Sequence, residues 1–74
     1  MINLSCHLDK DFGRTRVYAL KTSRCFYSVA VGEQDVHVIG PGVEATYTRG
    51  DEVPADLTSE GTAACAVLVW EEGA

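Results

Sequence analysis

Basic residues are scarce in this chain: 6 Lys and Arg stand against 11 Asp and Glu, for a net charge of −5. That balance lacks the dense positive field of a nucleic-acid-binding domain. No stretch approaches the roughly 20 consecutive apolar residues of a membrane-spanning helix. The first residues also lack the basic segment and apolar run of a secretory signal. The expectation is a soluble, intracellular protein starting at Met1, cytoplasmic or part of a virus particle assembled there, with no membrane partner.

Close-spaced ligand pairs are missing too. Cys6, Cys25 and Cys65 lie far apart, with no C-x-x-C pair to mark a structural zinc site. They read as small buried hydrophobes; a disulfide between two of them, or a metal held with His7 and His37, is the less favoured alternative. Length is short as well. A single domain of 74 residues buries only about 60% of its unfolded surface, and a ligand cavity of roughly 300 Å³ or more is hard to spare. No cofactor, metal or small-molecule substrate is therefore expected.

Short motifs do not restore chemistry. Cys6 and His7 are neighbours on a strand and point to opposite faces, so they cannot form a nucleophile–base pair. A cross-strand pair of Cys25 with His7 or His37 is left as a minor candidate. Asp9 and Asp11 begin like a calcium loop, but Gly13 comes one place early and Leu20 stands where a bidentate Glu is needed. Arg49-Gly50-Asp51 matches a cell-adhesion triplet and Asn3-Leu4-Ser5 a glycosylation sequon. Without secretion these are a loop start and a polar strand face. The chain reads as a non-enzyme.

What is present is apolar patterning. The 46% apolar and 23% charged fractions are those of a globular domain. Alternation predicts strands at 2–8, 15–21, 24–31, 36–39 and 43–49. On the third, Cys25, Tyr27, Val29 and Val31 form the richer face, and Phe26 and Ala30 dilute the polarity of the other. Gly13 supplies a turn, and Pro41 with Gly42 fits a type II turn. Residues 50–61 form an acidic loop, with room for one helical turn at Pro54–Leu57. Ala63 to Trp70 is the longest apolar run and reads as a sixth strand, oily on both faces. The expected fold is one all-β domain over 1–74, a small antiparallel barrel or sandwich of about six short strands.

An apolar stripe that so small a chain cannot cover is worth several kcal/mol at about 25 cal/mol per Å², comparable with a small domain's net stability. The expected function is that of a structural or interaction protein that self-associates into a homo-oligomer and docks on a larger protein assembly, as an accessory or decorating subunit. Its interface would use Ala64, Ala66, Leu68 and Trp70, with Arg14, Arg16 and Arg24 as a charged rim. That rim follows from polarised charge: residues 1–24 carry +3 and residues 25–74 carry −8. The plainer reading of the same polarity is compensation between paired strands. Two further classes remain. One is a small acidic inhibitor, using acids such as Asp51, Glu52, Asp56 and Glu60 for occlusion or nucleic-acid mimicry. The other, disfavoured by net charge, is a barrel that stacks single-stranded nucleic acid on Tyr18 beside Arg16.

Overall fold

The computed structural model describes residues 4–73. Strands β1 (Ser5–Asp11), β2 (Arg16–Lys21), β3 (Phe26–Val31), β4 (Asp35–Gly40) and β5 (Val43–Thr48) are followed by helix α1 (Ser59–Gly73). The strands form one antiparallel sheet in chain order, β1-β2-β3-β4-β5. Each alternates apolar with polar residues and is joined to the next by a short turn, so neighbours in sequence become neighbours in the sheet. Gly13 and Gly42 have φ of 84° and 71°, the left-handed conformation their turns require. The expected first strand is displaced: Ile2 and Asn3 lie outside the described residues, and β1 runs on to Asp11. Its register with β2 shifts between Leu8 and Lys10, a bulge at Asp9 that lets the strand continue through the expected turn.

Two expectations are corrected. The sheet is open, with β1 and β5 as edges, and the described residues form five strands rather than six. Ala63–Trp70 lies within α1. Eight consecutive apolar residues satisfy a period of 2 and one of 3.6 equally, so the flanks decide. Thr58 caps the helix: its Oγ1 accepts from the Gly61 N–H at 3.0 Å and its carbonyl from the Thr62 N–H at 2.8 Å. Glu60 in the first turn suits the positive end of the helix dipole. The three alanines favour helix over strand.

The sheet's need for cover points the same way. Tyr18, Leu20, Tyr27, Val29, Val31, Val36 and Val38 are buried on one face, and α1 packs across it, chiefly on β3. Thr62, Ala63, Ala66 and Val67, at helical spacing, are the helix residues buried against it. The small Ala63 and Ala66, both at 0% exposure, let the helix backbone approach the valines closely. The Thr62 hydroxyl, enclosed in this apolar layer, donates to the Thr58 carbonyl at 2.7 Å, which removes the cost of burying it unpaired.

Candidate interaction surfaces

The end of α1 is fixed to the sheet by a polar cluster that no local pattern announces. Its last turn has no basic residue, although cations there would favour the helix dipole. Arg24, in the turn between β2 and β3, supplies the missing charge and donates from Nη1 to the Glu71 carbonyl at 3.2 Å. The Glu71 carboxylate accepts from the Thr22 hydroxyl at 2.6 Å and the Tyr27 hydroxyl at 2.8 Å. The Thr22 hydroxyl bond, then those of Tyr27 and the charge of Arg24, hold Glu71 below the ordinary carboxylate value against the opposing effect of burial. Burial first, then the neighbouring Cys25 and Glu71, push the Tyr27 phenol well above its ordinary value. Glu71 is therefore the acceptor and Tyr27 keeps its proton, so the cluster is a latch holding the cover onto the sheet.

The other face of the sheet has no cover among the described residues. Strand register defines its rows. One is Ser5–Lys21–Phe26, a second His7–Ala19–Ser28–Ile39–Glu44, and a third Lys10–Val17–Ala30–His37–Thr46. Along its middle lie Val17, Ala19 and Ala30, which are small or short and half-buried. Phe26 at 65% and Ile39 at 53% exposure rise above them, on adjacent strands at diagonal positions. The Lys21 ammonium sits 5.2 Å from the centroid of the Phe26 ring. Thr46 Oγ1 and His37 Nδ1 lie 3.1 Å apart, within hydrogen-bond distance. Lys10, Lys21 and His7 occupy the β1–β2 side, Asp35 and Glu44 the β4–β5 side. A low apolar centre with a charged margin is the usual anatomy of a protein interface.

The residues expected at an interface are dispersed. Ala66 is fully enclosed between α1 and the sheet. Trp70 and Ala64 are half-buried and packed against the core. Leu68 is half-buried on the side of α1 turned from the buried residues, near Val69 and Cys65. Arg14 and Arg16 stand at the turn between β1 and β2, whereas Arg24 stands at the opposite end of β2. They form no single rim: Arg16 pairs with Asp11 at 3.6 Å and Arg24 belongs to the latch.

Phe26 and Ile39, exposed large apolar groups of the uncovered face, were missing from that expected set. Their signal was an apolar residue at each otherwise polar position of an alternating strand.

Other candidate chemistry is kept apart by the fold. Cys6 and Cys25 lie on the helix side of the sheet, and His7 and His37 on the opposite side, so the sheet separates thiol from imidazole. The Cys6 thiol is pushed up by burial and then by the charge of Glu60, which favours its protonated form. Among the described residues no three His, Cys, Asp or Glu converge as a metal site, and no helix is long and apolar enough to cross a membrane. Tyr18 is buried at 5%, so it offers no stacking surface beside Arg16. Arg49 of the adhesion-like triplet donates to the carbonyls of Gly32 at 3.0 Å and Leu57 at 3.1 Å. Asp51, Glu52, Asp56 and Glu60 are all exposed. No family model, curated protein or solved structure matches this chain.

Proposed function

We propose that this chain is a non-catalytic interaction protein that self-associates through the uncovered face of its sheet and docks, as a small accessory subunit, on a larger protein assembly. The observation that carries the first part is the self-complementarity of the row His7–Ala19–Ser28–Ile39–Glu44. A two-fold axis parallel to the strands sets β1 of one copy over β5 of the other. The row then meets its own reverse: His7 faces Glu44, Ala19 faces Ile39 and Ser28 faces Ser28. A donor meets a carboxylate, a small side chain meets a large one, and hydroxyl meets hydroxyl. The neighbouring row places Ala30 over Ala30, and the row on the other side of Ser28 places Phe26 over Phe26, so two aromatic rings meet on the axis. Two open sheets then pack face to face.

Area sets the strength. Five strands about 4.8 Å apart, with six residues rising about 3.3 Å each, make a face of roughly 24 by 20 Å. Two such faces bury on the order of 1,000 Å², the lower limit of a specific interface, so the dimer is weak and concentration-dependent. Docking falls to the outward strip of α1 around Leu68 and Val69, since a helix apolar on every side is ordinarily covered on every side.

Sedimentation equilibrium tests the first part. The weight-average mass should rise from 8.0 kDa towards twice that value with concentration, and Phe26→Asp should raise the dissociation constant at least about tenfold without lowering the thermal midpoint. A mass fixed at that of one chain up to millimolar concentration rejects it.

A further inference from the structure

We propose that the cleft at the N-terminal end of α1 is a binding site for a small tetrahedral oxyanion, a phosphoryl group or inorganic phosphate. Of the four arginines in the chain, three line this one cleft of about 280 Å³, together with Gly32, Glu33 and Ser59. They arrive from separate segments. Arg14 comes from the turn between β1 and β2, Arg16 from the start of β2, and Arg49 from just after β5. The cleft collects three of the chain's six basic residues, and the acids beside them offset this charge only in part. Asp11 holds Arg16 at 3.6 Å, and among the described residues this is the only ion pair. Glu33 on the cleft wall adds repulsion between an anion and the protein.

Arg49 gives the second, independent observation. Two of its nitrogens are committed to the Gly32 and Leu57 carbonyls, which fixes the guanidinium rigidly. Among the described residues its Nε–H is the one buried side-chain polar atom without a partner. An unmet buried donor costs free energy, and Arg49 is itself one of the residues that line the cleft. Ser59 places the first turn of α1, the positive end of the helix dipole, on the same wall.

The cleft is below the roughly 300 Å³ at which sites for drug-sized ligands begin. It suits a small anion. Arginines from three segments around one cleft offer donors to an anion with oxygens in several directions, and guanidinium pairs with phosphate in charge-assisted bonds. This site lies on the helix side of the sheet and does not depend on how two copies associate.

The test is a titration of ¹⁵N-labelled protein with sodium phosphate, exchanged against sodium chloride at constant ionic strength and followed by amide and arginine Nε–H resonances. Saturable shifts at Gly32, Ser59 and Arg49 Nε are expected. Arg14→Gln, whose side chain is exposed, should weaken binding at least about fivefold. Lys21→Gln, equal in charge change but at the other end of β2, should change it less than about twofold. Glu33→Gln should tighten it. Linear shifts equal to those in chloride, or equal weakening by Arg14→Gln and Lys21→Gln, overturn the site. Sodium acetate binding as tightly as phosphate overturns its phosphoryl character.

Discussion

The two faces of the sheet are built from the same strands, yet they solve burial differently. On the helix side Leu20, Val29, Val36 and Val38 are at 0% exposure, filled by branched side chains and held beneath α1. On the other side the same strands present Ala19, Ala30, Ser28, Phe26 and Ile39, where two large groups stand over a flat floor. A face that is merely solvated would be polar at Ala19, Ala30, Phe26 and Ile39 as well. One face is shaped to a partner that is part of the chain. The other carries the exposed Phe26 and Ile39, with charged residues at its margin.

The largest effect expected from breaking this contrast is on the covered face. Leu20→Ala should cost about 3 kcal/mol in urea unfolding, while Ile39→Ala should stay within about 0.5 kcal/mol at concentrations where the chain is monomeric. Equal losses would mean that both faces are packed in one molecule.

Next in size is the latch. Glu71→Ala should cost about 2 kcal/mol at pH 7, because it removes the shared acceptor of two buried hydroxyls. Glu71 has a folded pKa depressed below the ordinary 4.5. Its contribution is therefore fully present above that value and is lost as pH falls through the depressed one. Wild type and Glu71→Ala should thus differ most near neutrality and converge in acid. A difference that grows on acidification would contradict the assignment of the carboxylate as acceptor.

Most of the sheet was legible in the sequence because the residues that pair are close in the chain and alternate with period 2. Pro41 and Gly42 marked their turn directly. The helix was obscured by an apolar run that fits either period, although Thr58 before it and the spacing of Thr62, Ala63, Ala66, Val67 and Trp70 carried the helical signal. A sheet with one continuous apolar face also demanded a cover, and α1 was the only remaining segment long enough to supply it. The latch could not be read at all, since Thr22 and Glu71 are 49 residues apart and neither sits in a motif. For the uncovered face, Phe26 and Ala30 already marked an excess of apolar residues on the side that should have been polar. Their register with Ala19 and Ile39 required the strand pairing.

The smallest expected effect, and the most informative, is a set of weak contacts between copies. In a millimolar mixture of ¹³C-labelled and unlabelled chains, isotope-filtered nuclear Overhauser spectra should connect the Ala19 methyl of one copy to the Ile39 side chain of the other, with Ala30 meeting Ala30. Contacts between copies confined to Leu68 and Val69 of α1, or no contacts between copies at that concentration, would contradict pairing through the open face.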